Sequence, residues 1–536
     1  MIKDPYAEGR QRGWQIVDAS RAERDLADEA DVIVIGTGAG GGISAEILAK
    51  SGLKVILVEE GPLRSTPDFR MQEADAYPQL YQESAARKTA DKAINILQGR
   101  CVGGSTTVNW TSSFRTPPDT LAHWARHHGL ADYTPQALQP WFEMVERRLG
   151  IHLWEAAPNA NNELLRTGGR ALGIEVQTMR RNVRGCWNLG YCGTGCPTNA
   201  KQSMLLTTLP SALEQGARLY HGLRAERLLL QGDRVQGLEA LAMDAQGIHP
   251  RSVKVQLRAR HVVLAAGALG SPALLLRSGL PDPQGLIGAR TFLHPTVVSA
   301  ALMDRDIAGH AGAPQSLYSD HYLHSQPVDG PAGFKLESAP LHPVLFSTTL
   351  QGYGAAHREL MQRFNQAQVL LALQRDGFHP ESPGGQVRLR DDGTPLLDYP
   401  LNGYFFDGAR RALLAMAELQ FAAGAQRVIA VHEASAGWSS WADAKAGIAS
   451  LDLRPLALRV VSAHVMGGCA MGADPKTSVV DPHGRFHHLR GLTVADGSIF
   501  PTSIGANPQE SIYGIVARLA SKLAEELTSR PAAALA

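Results

Sequence analysis

The stretch GCWNLGYCGTGCPTNAKQSM, residues 185–204, concentrates cysteines in a chain that otherwise has few of them. Cys186, Cys192 and Cys196 are three of the 5 cysteines among 536 residues. Thiolates bind metals and exchange disulfides, so the cluster predicts a metal site, a redox pair or a loop of structural thiols. No fourth cysteine or histidine lies nearby to complete a zinc site, and the C-x-x-C spacing of disulfide exchange is missing. Because Cys196 precedes Pro197, iron–sulfur ligation stays open as well.

A second chemical pattern is the glycine-rich loop GTGAGG, residues 36–41, which has the spacing G-x-G-x-x-G. Without a Cβ at Gly36, Gly38 and Gly41, the backbone can turn tightly and approach a pyrophosphate at a helix N-terminus. Glu59 ends the apolar run KVILVE eighteen residues after Gly41, where a carboxylate accepts hydrogen bonds from ribose hydroxyls. The pattern predicts a dinucleotide site. Its place near the start of a long chain favours FAD over NAD, because extended FAD needs later segments to complete its site.

Two further residues are candidates for chemistry on their local sequence. The run ANPQES indicates a helix start, with Asn507 at the N-cap, Pro508 at the first helical position and Glu510 at the third. The N–H groups of such a helix end would stabilise developing negative charge, so the helix end with Asn507 as its cap is a candidate site. His464 opens a segment rich in Gly and Met without helical or strand periodicity, which favours it among the 19 histidines for proton transfer.

Composition excludes several classes of protein. Lys+Arg 52 against Asp+Glu 51 gives a net charge of +1, and without a basic block this argues against a nucleic-acid partner. The first twenty residues contain no apolar signal segment, and the most apolar stretch, residues 261–276, is too short to cross a bilayer. With an odd number of cysteines, these features predict a cytoplasmic protein without a transmembrane segment. Peripheral membrane association and export with a partner remain alternatives.

The elements that must position these residues follow from apolar periodicity. Residues 31–61 combine a strand, the glycine turn, a helix and a second strand, which is a βαβ unit. Helices are predicted at 21–30, in two pieces over 120–150, at 407–425 and at the C-terminus, short strands over 217–265, and a hairpin over 384–401. The predicted fold class is α/β (α+β overall), with a Rossmann-like FAD-binding domain and an interleaved substrate domain built on a mixed or antiparallel sheet with helices.

Four ordered stretches resemble the glucose–methanol–choline (GMC) oxidoreductases, which are FAD-dependent alcohol oxidases and dehydrogenases. They are the nucleotide unit above, GRCVGGSTTVNW (99–110), GALGSPALLLRSGL (267–280) and the C-terminal block over 462–520. The resemblance runs from about residue 31 to 525 and is weak over 291–455. It implies oxidation of an alcohol to the aldehyde by proton abstraction and hydride transfer to flavin N5. Resemblance to bacterial long-chain alcohol dehydrogenases implies a primary aliphatic substrate.

The resemblance also assigns roles to residues. The catalytic pair of the family falls on His464, as the base, and on Asn507. Val108 stands where some members attach FAD through a histidine, so non-covalent FAD is expected. The residues implied to hold FAD are Gly36, Gly38, Gly41 and Glu59 at the ADP half, Gly103, Gly104, Ser105 and Asn109 along the isoalloxazine, Ala225 at the adenine, Asp496 and Gly497 near the ribityl–pyrophosphate region, and Pro508 and Gln509.

The resemblance divides the chain and suggests alternatives. The expected FAD-binding domain comprises 29–120, 199–290 and 460–527, the substrate domain and cysteine loop comprise 121–198 and 291–459, and 1–28 and 528–536 form an extension and a tail. Some sugar dehydrogenases of the family carry a three-iron cluster (3Fe-4S) on three cysteines, and the spacing of Cys186, Cys192 and Cys196 is similar. The expected partners are a small-molecule alcohol and an electron acceptor, such as a quinone, a cytochrome or a small partner subunit. The alternatives are a hydrogen-peroxide-forming oxidase, a sugar or polyol dehydrogenase and a redox-silent lyase.

Overall fold

The computed structural model describes residues 2–535, and its mixture of sheets and helices confirms the α/β fold class. The strands are β1 Gln15–Asp18, β2 Leu26–Ile35, β3 Val55–Glu59, β4 Ile94–Ile96, β5 Ser112–Ser113, β6 Ile151–Leu153, β7 Gln177–Thr178, β8 Arg180–Asn182, β9 Arg218–His221, β10 Leu223–Gln231, β11 Arg234–Met243, β12 Pro250–Leu264, β13 Thr291–Leu293, β14 Thr296–Leu302, β15 Leu317–Ser319, β16 Phe334–Ser338, β17 Ala367–Gln374, β18 Gln386–Leu389, β19 Pro395–Asp398, β20 Arg427–Ala430, β21 Val460–Ser462, β22 Val465–Gly467 and β23 Leu492–Val494. The α-helices are α1 Pro5–Gln11, α2 Ala39–Lys50, α3 Glu73–Leu80, α4 Ser105–Val108, α5 Pro118–His128, α6 Pro135–Leu149, α7 Ala160–Leu172, α8 Thr208–Glu214, α9 Gly267–Arg277, α10 Pro343–Thr349, α11 Gly354–Gln362, α12 Gly403–Ala422, α13 Trp441–Ser450 and α14 Gln509–Thr528.

The first large sheet has the strand order β1-β9-β3-β2-β12-β11-β10, with β23 also paired to β12. Strands β1, β9, β3, β2, β12 and β23 pair in parallel, whereas β10, β11 and β12 form an antiparallel meander. β3 is buried along its whole length, as expected for a strand covered on both faces. This sheet positions the glycine loop, because ligands of such sheets bind beyond the carboxyl ends of the parallel strands.

The alternation of side chains in β2 explains how the sheet is covered on both faces. Val32 and Val34 pack into a core shared with α2, α8 and α14, whereas Ile33 and Ile35 pack into a second core shared with the meander. Successive residues of a strand point to opposite faces, so one run of four apolar residues serves both cores.

The second large sheet has the order β4-β21-β14-β17-β16-β15-β7, with β20 also paired to β14, and most of its pairs are antiparallel. Helices α7, α12 and α13 pack against one face, where Phe334 and Leu336 of β16 join the apolar core. Lys335 and Glu337 alternate with them and therefore lie on the opposite face. This sheet thus carries two buried charged side chains toward the rest of the molecule.

Several local predictions are confirmed: α5 and α6 split the 120–150 region, α12 and α14 form, and β18 and β19 make the predicted hairpin. The helix predicted at 21–30 is wrong, because β2 begins at Leu26 and pairs in parallel with β12 from Val255 onward. Tertiary pairing outweighs the helical propensity of its Ala, Glu and Arg residues. Within residues 2–535, no helix has both the length and the apolar character needed to cross a bilayer.

Candidate active site

A cleft runs between the glycine loop, the start of α14 and the segments that follow β4 and β21, and spans about 1960 Å³ with the open space at its mouth included. Most residues predicted from the sequence to bind FAD or substrate line it. They are Gly36, Gly38, Glu59, Gly104, Ser105, Asn109, Ala225, His464, Asp496, Gly497, Asn507, Pro508 and Gln509. Gly41 and Gly103 are the exceptions. They support the loops behind the wall of the cleft.

The glycine loop joins β2 to α2 and presents bare backbone to the cleft. Gly36 has φ +96, and a Cβ there would lie 2.2 Å from the Ala265 carbonyl oxygen. Gly38 is the N-cap of α2 and offers no side chain to cap it, so among residues 2–535 the first N–H groups of the helix lack a side-chain cap. An anion such as a pyrophosphate satisfies these groups and the positive end of the helix dipole. Gly41 has a different role, because a Cβ there would lie 1.9 Å from the Gly36 carbonyl oxygen.

Glu59 ends β3 directly below this loop, where it is 8 % exposed. The N–H and O–H of Thr37 donate to its Oε2 at 3.2 and 2.6 Å, and the Gly61 N–H donates to its Oε1 at 2.9 Å. Burial raises the pKa of Glu59, which these hydrogen bonds oppose. Oε2 already accepts two hydrogen bonds and Oε1 accepts one, so the acceptor site that remains on Oε1 is suited to hold a ribose hydroxyl.

Replacing Glu59 with alanine is expected to lower FAD affinity by about tenfold or more, because hydrogen bonds to a charged group contribute about 1.5–3 kcal/mol. Glu59→Gln keeps the shape and one acceptor oxygen, so its affinity is expected to fall between those of the wild type and the alanine variant. The ratio of FAD to protein after dilution and gel filtration measures the effect. Unchanged FAD occupancy in Glu59→Ala would remove the ribose role.

A second loop closes over the glycine loop. Gly104 has φ +54, and its Cβ would lie 2.8 Å from Gly38 Cα, so two glycines meet backbone to backbone. The Gly103 N–H donates to Thr37 Oγ1 at 3.0 Å, which ties the two loops together. Gly103 is thereby a structural link between them. The following helix α4 leads to Asn109, which lines the cleft.

The start of α14 is held by hydrogen bonds of the Gln509 side chain, two of them to other segments and one to Tyr513 in the same helix. Gln509 accepts from Asn109 Nδ2 at 2.7 Å and from the Tyr513 hydroxyl at 2.9 Å, and its Nε2 donates to the Ser112 carbonyl at 2.8 Å. These bonds fix the helix N-terminus against the cleft. Asp496, at the end of β23, accepts from the Gly267 N–H at 2.8 Å and so joins that strand to the start of α9.

Asn507 is not the N-cap of this helix. The helix begins at Gln509, Pro508 occupies the cap position, and within the described chain no side chain caps it. The Asn507 amide turns instead toward the second sheet, where its Nδ2 donates to Glu337 Oε2 at 3.4 Å. Its Oδ1 is buried and has no hydrogen-bond partner among residues 2–535. The cap predicted from ANPQES is therefore wrong. The amide lines the cleft instead, and its oxygen can accept a hydrogen bond there.

His464 contacts a second histidine that the sequence did not single out. His294 Nδ1 lies 3.0 Å from His464 Nδ1, and the two rings are perpendicular. The Gly505 N–H approaches His294 Nε2 at 3.2 Å. Neutral His294 therefore carries its proton on Nδ1 and donates it to His464, whose own proton then lies on Nε2. His294 thereby fixes the plane of the His464 ring and leaves its Nε2 as the nitrogen without a contact to His294.

Both histidines are uncharged at neutral pH. Burial and, to a smaller extent, the positive charge of Lys335 together lower the pKa of His464 to about 4. Burial, His464 and Lys335 also hold the pKa of His294 well below its usual value. Lys335 itself is 1 % exposed, pairs with Asp320 and lies over the rings of Phe114 and Tyr318.

The three thiols of the cysteine loop turn to separate neighbours. Cys186 Sγ accepts from the Asn188 N–H at 3.4 Å, Cys192 Sγ faces an Arg181 nitrogen at 3.6 Å, and Cys196 Sγ lies 3.5 Å from Thr198 Oγ1. In the part of the chain that the structure describes, no group of three His, Cys, Asp or Glu side chains is arranged to hold a metal. Among those residues, the three thiols are therefore not arranged as ligands of an iron–sulfur cluster.

The loop instead supports the wall of the cleft. Lys201 is buried, and its ammonium donates to the carbonyls of Thr107, Asn109 and Cys192 at 2.6–2.8 Å. The Tyr81 hydroxyl donates to the Gly193 carbonyl at 2.6 Å. The cysteine loop is thereby clamped to the segment that carries Asn109. The sequence did not identify Lys201 as a residue that holds this loop. Its place directly after a tight loop is the signal that could have done so.

Comparison with known proteins identifies relatives over most of the chain. The N- and C-terminal models described as GMC oxidoreductase match residues 77–296 and 380–515. An uncharacterized GMC-type oxidoreductase of Mycobacterium tuberculosis is 31% identical, with 97% of this chain and 81% of the relative covered. A long-chain-alcohol oxidase of Arabidopsis thaliana is 29% identical over 93% of this chain and 68% of its own length. The solved pyridoxine 4-oxidase of Mesorbium loti has the same fold, with a TM-score of 0.68, 20% identity, and 92% and 98% of the two chains covered.

Proposed function

Since the chain belongs to the GMC oxidoreductase family, whose members bind FAD, and is an oxidoreductase acting on CH–OH groups, we propose that it oxidises a primary aliphatic alcohol to the aldehyde with non-covalently bound FAD. The observation that carries the proposal is the cleft shared by the glycine loop, His464 and Asn507. The division into an FAD-binding and a substrate-binding domain belongs to the same proposal. FAD, when bound, supplies the acceptor for the two electrons and the hydrogen of the α-carbon.

The residues of the chain supply binding and proton transfer. Gly36, Gly38 and Glu59 offer backbone and carboxylate to the ADP half, and Asn109 and the start of α14 offer polar groups to the ring half. His464 and Asn507 are proposed to contact the hydroxyl group of the substrate. Burial keeps His464 neutral, so it can take part in proton transfer near pH 7.

The tautomer of His464 gives the order of its two tasks. In the arrangement with Nε2–H, His464 donates to the substrate oxygen and orients it. To accept the hydroxyl proton at Nε2, His464 must hold its own proton on Nδ1 and donate it to His294. In this exchange the proton of His464 moves from Nε2 to Nδ1 and that of His294 moves from Nδ1 to Nε2, both by exchange with solvent, and the Gly505 hydrogen bond of 3.2 Å is lost because two N–H groups then face each other. We propose that His464 is the base and that His294 is its partner in this exchange.

The electron acceptor distinguishes an oxidase from a dehydrogenase. The named relatives that oxidise alcohols are oxidases, which favours molecular oxygen with hydrogen peroxide as the product. Acceptance by a quinone, a cytochrome or a partner subunit would make the protein a dehydrogenase. Reduced protein mixed with air-saturated buffer separates the two, because an oxidase returns the flavin spectrum within a turnover and releases one peroxide per flavin.

The function itself is tested by anaerobic mixing of the FAD-loaded protein with alcohols. A panel of primary aliphatic alcohols of increasing chain length, secondary alcohols, sugars and polyols is expected to show bleaching of the oxidised flavin with primary aliphatic members. The rate of bleaching against chain length then gives the substrate. A flavin that stays oxidised with every alcohol would overturn the proposal and favour a redox-silent lyase.

A further inference from the structure

Glu337 lies behind the wall of the cleft and has no part in the proton and hydride transfer proposed above. It lies in the middle of β16 and is 0 % exposed. Gln315 Nε2 donates to its Oε2 at 2.8 Å, and Asn507 Nδ2 donates to the same oxygen at 3.4 Å. Glu337 Oε1 and Asn507 Oδ1 have no partner among residues 2–535. Gln315 and Asn507 line the cleft, so Glu337 reaches the substrate only through them.

The amide of Asn507 has two unlike ends, and Glu337 decides which of them is free. An ionised carboxylate is an acceptor only, so it holds Nδ2 and leaves Oδ1 as the unpaired atom. A protonated carboxyl can donate its O–H from Oε2 to Oδ1 while Oε2 still accepts from Gln315. Rotation about the terminal torsion of Asn507, which is soft, then leaves Nδ2 as the unpaired group.

We propose that Glu337 is a positioning residue whose state of protonation sets the end of the Asn507 amide that meets the substrate oxygen. The inference rests on the proposed function of the cleft. With Glu337 ionised, Oδ1 accepts the O–H of an alcohol while His464 Nε2–H donates to its oxygen. With Glu337 protonated, Asn507 and His464 both donate, which suits a carbonyl oxygen. The site therefore prefers alcohol in one state and carbonyl compound in the other.

The surroundings make Glu337 the group that titrates in the neutral range. The net pKa of Glu337 is raised to about 7, because burial, with a smaller contribution from Asp320, outweighs the lowering by Lys335 on the same strand and by the bond from Asn507. On β15, Tyr318 faces Glu337 in register with a pKa raised by burial to about 12, and on β17 the opposite residue is the apolar Leu371. His464 is neutral above about pH 4, and the pKa of His294 lies well below its usual value. A raised carboxyl pKa means that Glu337 is protonated below about pH 7 and ionised above it.

The test compares Glu337→Gln with the wild type and with Tyr318→Phe, all loaded with FAD. Glu337→Gln removes the ionisable group and keeps the size of the side chain, whereas Tyr318→Phe alters the facing position and leaves Glu337 in place. Two inert probes of equal chain length are titrated into the oxidised protein by flavin absorbance: a tertiary aliphatic alcohol, which has no α-hydrogen, and an aliphatic methyl ketone. In the wild type, the Kd of the alcohol is expected to fall and that of the ketone to rise, each by about fivefold, between pH 6 and pH 8.

Tyr318→Phe should reproduce both trends, and Glu337→Gln should abolish both. The flavin spectrum of the unliganded protein gives a second readout that needs no ligand: a step near pH 7 in the wild type, absent in Glu337→Gln and in Asn507→Leu. Glu337→Met, which lacks any hydrogen-bonding group, serves if the glutamine variant is unstable, with the same expected loss of pH dependence.

The outcomes separate this inference from the proposed function. If alcohols reduce the flavin but Glu337→Gln keeps the pH dependence of both affinities and of the spectrum, the inference is overturned and the function stands. If no alcohol reduces the flavin but the spectral step is present and lost in both variants, the function fails and the control of Asn507 by Glu337 stands. A wild type with neither a spectral step nor opposite trends also overturns the inference.

Discussion

Replacing His464 with alanine is expected to slow the reduction of bound FAD by the best alcohol about a thousandfold, with FAD content and thermal stability close to the wild type. General acid–base groups typically contribute factors of about 10² to 10⁴. His464 lines the cleft and packs against His294, and its backbone N–H is satisfied by Ser462 Oγ at 3.3 Å, independently of the ring. Anaerobic stopped-flow spectroscopy at saturating alcohol measures the change.

A second substitution separates the two tasks of the imidazole. His464→Gln retains an N–H donor but has no basic nitrogen, so this variant is expected to bind alcohol and to reduce FAD as slowly as the alanine variant. Substantial recovery by glutamine would show that donation to the substrate oxygen dominates. His249, which is exposed in the loop between β11 and β12, is the matched control, and His249→Ala should reduce FAD at the wild-type rate. Near-normal reduction in His464→Ala would assign the base elsewhere.

The strand–turn–helix–strand unit that lines the cleft could be predicted because its signals are local. The turn, the helix start and the strand that carries Glu59 all lie within residues 31–61, and each residue type has a geometric reason at its place. The structure adds why the glycines differ. Gly36 and Gly41 would collide with backbone, whereas Gly38 faces the cleft. A spacing rule gives all three the same weight, since it contains no information about neighbouring loops.

The buried charges of β16 could not be predicted, because their signals come from pairing over long distances. The run FKLES alternates apolar and charged residues, which is typical of a strand with one face in water. In the fold, both faces are covered, and Lys335 and Glu337 are buried. Their partners Asp320, Gln315 and Asn507 lie far apart in sequence. Periodicity detects that a face is polar but not that another element covers it.

The mistaken cap at Asn507 shows the same limit at a functional residue. ANPQES satisfies the preferences for a helix start, and the helix does start there, within two residues of the expected place. The amide is nevertheless drawn to Glu337, and the cap position falls to Pro508. Capping contributes about 1 kcal/mol, so a competing tertiary contact can displace it. A polar residue such as Asn507, which fits the capping pattern in the sequence but turns elsewhere in the structure, is therefore a stronger candidate for a functional site than a residue that caps as expected.

Substituting valine for Gly38 is expected to weaken FAD binding by about a hundredfold while the protein stays folded. A Cβ at Gly38 would have Gly104 Cα at 3.8 Å as its nearest neighbour, which is ordinary contact, and its φ of −72 suits any L-residue. The added methyl groups would occupy the cleft directly at the uncapped N-terminus of α2, where the backbone must approach the pyrophosphate. Overpacking of this kind costs about 1–3 kcal/mol, which corresponds to a factor of about 5 to 140 in Kd.

Two further glycines make this experiment specific. Gly403→Ala, at the start of α12, places a Cβ with nothing within 4 Å and should leave both FAD affinity and stability unchanged. Gly41→Ala places a Cβ 1.9 Å from the Gly36 carbonyl oxygen and should lower the melting temperature of the FAD-free protein. Titration of the FAD-free variants with FAD, paired with thermal unfolding without FAD, gives both quantities. A Gly38→Val protein that binds FAD like the wild type would show that the cofactor does not approach this turn, and a destabilised one would give the glycine the same structural role as Gly41.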